Sequence, residues 1–203
     1  LYYAPAKVWT TYGMASSGTD SSVADFSATQ EGEYGRRSHF FYAIAPSQAL
    51  AKATEIDPSG LQLELAEMQR VEDGVEKYMV SSALSVVKES VGEKSVDMEL
   101  LPALSLLDLE LSATSDLVLK TLSLTSVGAG TGKGLTGPYK LDVATTTVNM
   151  RTTTGNKVTL DFGEGLAMEK GKLYEARAVV LPAKLAGLNL SVSGSTSKSS
   201  LEL

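Results

Sequence analysis

The sequence predicts an all-β protein built as an antiparallel β-sandwich, and three observations predict it. Apolar and polar residues alternate with period two in run after run; Gly, Pro, Ser, Thr and Asn clusters separate the runs; and no long segment of 3.6-residue periodicity intervenes. Alternation at 180° per residue places one face in a core and the other in water, which defines a half-buried strand. Many short strands of this kind between turn residues belong to sandwiches and barrels.

The strands follow in chain order. His39-Phe40-Phe41-Tyr42-Ala43-Ile44 is an aromatic run ending at Pro46, and residues 47–53 read as a single helical turn. Leu61-Gln62-Leu63-Glu64-Leu65 alternates cleanly. Residues 67–88 hold Met68, Val71, Val75, Tyr78 and Met79 at spacings of three and four, but Gly74 interrupts them, and the segment reads as a loop followed by a strand over 80–87. Val96-Asp97-Met98-Glu99-Leu100 and Leu107-Asp108-Leu109-Glu110-Leu111 alternate, as do Leu117 to Lys120, Leu122 to Thr125, Val158 to Phe162, Tyr174 to Val180 and Leu188 to Val192. Register assigns Leu107, Leu109, Leu111, Leu122, Leu124, Leu160, Phe162, Leu188 and Leu190 to the interior, because a slip of one residue would bury Asp108 and Glu110 instead. On this reading Leu109→Asp buries an unpaired carboxylate and prevents folding. Residues 1–194 read as one sandwich domain, and 195–203, rich in Ser and Thr, as a linker or the start of a second domain.

With 203 residues, 43% of them apolar, the chain is long enough to bury a substantial core. It carries 18 basic and 24 acidic residues, a net charge of −6, and no basic stripe, which argues against nucleic acid as a partner. The absence of cysteine excludes disulfides, Cys-based zinc sites and thiol catalysis. No run approaches the ~20 apolar residues of a membrane helix.

Several short motifs imitate sites and lack the partners those sites require. Gly132-Lys133 lies in the glycine-rich run Gly128 to Gly137, but the positions of a phosphate loop's first glycine and its hydroxyl are held by Val127 and Gly134. Leu135-Thr136-Gly137-Pro138 then favours a turn over the helix N-terminus that a phosphate requires. The run reads as a connection between a strand ending near Ser126 and one starting near Tyr139. His39 is the only histidine and has no H-E-x-x-H or triad context. Ser85-Val86-Val87-Lys88 and Ser195-Thr196-Ser197-Lys198 match S-x-x-K without its companion motifs. Asp161-Phe162-Gly163 matches a kinase metal-binding triplet without the catalytic loop, and reads as a strand ending in a turn. No catalytic, cofactor-binding or metal-binding residue is therefore singled out, and the chain reads as a non-enzyme without a cofactor.

Taken together, "HFFYAIAPS" (39–47), "LQLELAEMQ" (61–69), "VDMELLPALSLLDLEL" (96–111), "LVLKTLSLTSVG" (117–128) and "GKLYEARAVVLPAKLAGLNLSVSG" (171–194) resemble, in order, the strands of fimbrillin-like proteins, the FimA-type pilins of Gram-negative anaerobes. The resemblance implies a Greek-key, transthyretin-like sandwich. It implies export as a lipoprotein precursor to the outer surface, and assembly into a fimbria by strand exchange with other pilin subunits. It also implies that a protease removes a first strand; Val8-Trp9-Thr10-Thr11-Tyr12, ending at Gly13, is the segment of that character, and the isolated intact domain is expected to be a monomer. Physically, an edge strand's unpaired N–H and C=O groups become an assembly site when another chain supplies the missing strand. The alternative reading is a surface module that binds glycans or host or bacterial protein, with Tyr2, Tyr3, Trp9 and Tyr12 as its aromatic contacts.

Overall fold

A computed structural model describes residues 2–3, 8–10, 13–17, 24–27, 38–51, 57–87, 96–127, 134–150, 155–182 and 189–197. The protein is all-β. Its strands are β1 (Tyr2–Tyr3), β2 (Val8–Trp9), β3 (Gly13–Ser17), β4 (Ala24–Ser27), β5 (His39–Ala45), β6 (Leu61–Leu65), β7 (Met68–Arg70) and β8 (Ser81–Val87). They continue with β9 (Leu101–Pro102), β10 (Ser105–Ser112), β11 (Leu117–Val127), β12 (Gly137–Asp142), β13 (Thr147–Met150), β14 (Lys157–Met168), β15 (Leu173–Val180) and β16 (Asn189–Ser197). One helical turn, α1 (Gln48–Ala51), follows Pro46 as the sequence predicts, with Ala49 N–H donating to Pro46 C=O at 3.1 Å.

The strands form sheets ordered β2-β1-β5-β8-β9, β13-β12-β6, β16-β11-β14-β7 and β10-β15, with β3-β4 as a separate hairpin. All pairings are antiparallel except β7 with β14, which is parallel over Met68–Arg70. The loop expected over 67–79 thus contains a three-residue strand, and its spacings of three and four are realised as two 3-10 turns, Val71–Asp73 and Val75–Lys77, divided by Gly74 at φ 73°. Three residues are too few to display a period, so β7 leaves no alternation in the sequence.

Two cores lie between the sheets. The first gathers Ile44 of β5, Leu61, Leu63 and Leu65 of β6, and Tyr139 and Leu141 of β12. The second gathers Leu119, Leu122 and Leu124 of β11 with Val158 and Leu160 of β14. Strand β15 serves both: Ala176, Ala178 and Val180 face the second core, and Val179 between them faces the first. Leu122, Leu124 and Leu160 are buried as register requires. Leu107, Leu109, Leu111 and Phe162 are only partly buried and pack against the margin of the second core, so the expected full burial of these four is corrected. Leu188 lies outside the described residues, and of Leu190 only the backbone, in β16, is described.

Three further expectations change. Val96 to Leu100 forms no ladder; its alternation survives only as half-buried Val96 and Met98 beside exposed Asp97 and Glu99, and pairing with β8 begins at Leu101, opposite Ser82. A period of two fixes which face is apolar but not whether an edge has a partner. Asp161-Phe162-Gly163-Glu164-Gly165 does not end a strand. It lies inside β14 as a bulge, where the partner of β11 jumps from Asp161, opposite Thr121, to Leu166, opposite Leu119. Gly163 and Gly165 take φ of 58° and 109°, and Asp161 Oδ1 accepts a hydrogen bond from Gly163 N–H at 2.9 Å, so the glycines supply a kink within the strand. Finally, Ser195, Thr196 and Ser197 continue β16, opposite Thr121, Leu119 and Val118, rather than opening a linker.

Tyr139 is 1% exposed in the first core, and its burial pushes the phenol well above its ordinary range. The folded state therefore holds this proton more tightly than the unfolded state. Stability from the neutral phenol is complete below the unfolded value of about 10 and falls as pH rises beyond it, by up to about 1.4 kcal/mol per pH unit. Urea unfolding at pH 9 and 11 measures this loss, and Tyr139→Phe is expected to remove its share of the slope.

Candidate functional site

The feature with chemical potential outside the two cores is an unpaired strand edge. Strand β10 pairs with β15 over its whole length, from Ser105 opposite Val180 to Ser112 opposite Leu173, and has no second neighbour among the described residues. Which backbone groups this leaves open follows from one buried side chain. Gln69, 2% exposed at the centre of β7, donates from Nε2 to Val179 C=O at 2.7 Å, and Val179 N–H donates to its Oε1 at 2.9 Å. The amide thus stands in for a neighbouring strand on the far side of β15 from β10. Backbone direction alternates along a strand, so Ala178, Ala176 and Tyr174 are the β15 residues that bond β10, through Leu107, Leu109 and Leu111. The N–H and C=O groups of Leu106, Asp108, Glu110 and Ser112 then point to the open edge.

An apolar groove runs along this edge. It measures about 410 Å³ and its apolar walls include Leu109 and Leu111 of β10, Leu117, Leu119, Leu122 and Leu124 of β11, and Met168 at the end of β14. The half-burial of Leu109 and Leu111 has its cause here: each packs against the second core on one side and faces the groove on the other. A row of unpaired backbone groups above alternating apolar walls has the shape of a missing strand.

The outer face of β10 is acidic. Asp108 Oδ1 pairs with Arg177 Nε at 3.0 Å across to β15, whereas Glu110 stands directly opposite Glu175. Both pairs fall at positions that exchange no backbone hydrogen bonds, where side chains approach most closely. Neither glutamate forms an ion pair among the described residues.

The motifs weighed in the sequence lie elsewhere and are not brought together. His39 is buried in β5, at 6% exposure. Ser85 is in β8, and Lys88 lies outside the described residues, as do Lys133, Tyr12 and Lys198. Ser195 Oγ shares a hydrogen bond of 2.7 Å with Thr121 Oγ1 in the ladder between β11 and β16. Asp161 is occupied by Gly163 N–H and by Arg70, whose Nε lies 3.9 Å away. The glycine-rich run leads into β12 and not into a helix: Leu135 N–H donates to Gly155 C=O, and Leu181 N–H donates to Leu135 C=O. Trp9 is half-buried against the first core; of Tyr2 and Tyr3 only the backbone is described. Among the described residues no group of three or more His, Asp or Glu is placed to hold a metal.

The groove itself had one trace in the sequence, the clean alternation of Leu107 to Leu111. That alternation gives the apolar face of β10 but not which edge lacks a neighbour. Comparisons with protein-family models, with curated proteins and with solved structures return no match.

Proposed function

We propose that this chain is a structural or adhesive subunit of a cell-surface fimbria and assembles with other pilin subunits by strand exchange. The observation that carries the reading is the open edge of β10 above an apolar groove, which offers backbone hydrogen bonds and alternate side-chain pockets together. The order of segments resembling fimbrillin-like strands supports it, and with it a Greek-key, transthyretin-like topology and export as a lipoprotein precursor to the outer surface. A head-to-tail contact of this type need not close on itself, and one that stays open builds a filament.

The N-terminal strands supply the test. Strands β2 and β1 lie at one end of their sheet, and β1 covers β5 at Phe41 and Tyr42. Removing residues 1–13 uncovers that stretch of β5, and unfilled backbone groups there are costly. The intact chain, whose β10 edge is already open, is expected to elute as a monomer from size-exclusion chromatography and to bind an added strand peptide, and the shortened chain to polymerise. A shortened chain that stays monomeric and unchanged in stability, with neither form binding an alternating apolar peptide, would count against the proposal.

A further inference from the structure

We infer that the open edge of β10 selects its incoming strand by charge, taking a segment with apolar residues at alternate positions and a lysine or arginine opposite Glu110. The inference rests on the strand-acceptor reading above and adds the chemistry of the partner. Glu110 and Glu175 face each other at a closely approaching pair, an arrangement that repels. Two residues along, the same two strands place Asp108 against Arg177 and form an ion pair. The sheet therefore neutralises one of its two acidic positions internally and leaves the other to whatever lies on the far side of β10.

A strand docked on the open edge would pair with Glu110 through Glu110's own N–H and C=O, and the residue opposite would emerge on the same outer face. A basic side chain there meets Glu110 directly and lies one strand from Glu175. A second copy of β10 is the wrong occupant: antiparallel pairing centred on Leu109 sets Asp108 against Glu110 on both sides. The edge charges thus oppose self-pairing while leaving a complementary strand welcome.

The test uses the full chain and three synthetic eight-residue peptides with the same alternating valines and threonines. They differ at one central outward residue, which is Lys, Ser or Glu, and each is labelled for fluorescence anisotropy. The Lys peptide is expected to bind up to about fivefold tighter than the Ser peptide, and the Glu peptide more weakly than either. The preference is expected to shrink in 0.5 M salt, to vanish in Glu110→Gln and to reverse in Glu110→Lys. Equal affinities for all three peptides would overturn charge selection and leave the acceptor reading standing. Binding of none of them would remove the acceptor reading as well. Self-association of the chain that competes with the Lys peptide would assign the edge to a second copy and overturn the inference.

Discussion

Leu124→Asp is expected to leave the chain unfolded. Leu124 is 3% exposed in the second core, and its strand is paired on both sides, opposite Val158 of β14 and Val192 of β16. A carboxylate there, 3% exposed among Leu119, Leu122 and Met168, has no cation beside it among the described residues, and an uncompensated buried charge costs several kcal/mol beyond the lost leucine packing. That is comparable with the whole stability of an ordinary domain, about 5–15 kcal/mol. Far-UV circular dichroism and urea unfolding measure the effect. Native-like spectra and an unchanged midpoint would remove Leu124 from the interior and with it the register of β11. Leu109→Asp is the informative contrast. Both side chains line the groove, but Leu109 is only partly buried, so its variant is expected to fold with a modest loss and to fail in binding a strand peptide.

Gln69→Leu is expected to destabilise by about 2–5 kcal/mol, because it strands the buried N–H and C=O of Val179 without the amide that pairs them. Gln69→Glu separates shape from hydrogen bonding. An ionised carboxylate accepts from Val179 N–H but offers nothing to Val179 C=O, whereas a protonated one can do both. Burial raises the pKa of such a glutamate in the folded state, so the variant's stability is greatest below the unfolded value of about 4.3 and declines as pH rises above it. Urea midpoints of the wild type and both variants between pH 4 and 8 check this. A Gln69→Glu profile parallel to the wild type's would show that the amide's two bonds contribute little.

Period-two alternation made β6, β10, β11, β14 and β15 legible, and with them the buried Leu122 and Leu124 of β11 and Leu160 of β14, because one buried face imposes a strict pattern on the sequence. The parts that escaped are those with no period to leave. Strand β7 is three residues long, and its parallel partner lies about ninety residues away in β14. The kink at Gly163 and Gly165 resembles a turn, since both require glycine for the same conformational reason. Gln69 was visible only as the last residue of the segment 61–69, in a stretch that reads as a loop, and a buried amide standing in for a strand has no local signature. The groove was the least legible feature: it depends on which edge lacks a neighbour, and pairing is a property of the whole sheet. Likewise, Glu110 and Glu175 become a pair only once the register of β10 and β15 is known.

The bonds between Gln69 and Val179 span 110 residues. At a ribosome's pace of about 5–20 residues per second, a chain emerging from its N-terminus waits roughly 5–20 s between the synthesis of these two residues. During that interval β6 presents Leu61, Leu63 and Leu65 first without the β12 residues Tyr139 and Leu141, and to its end without Val179 of β15. The first core is encoded early and completed late, so a nascent chain exposes a sticky leucine ladder until β15 has been made. Loop closure over this span also places the protein among slowly folding, high-contact-order topologies.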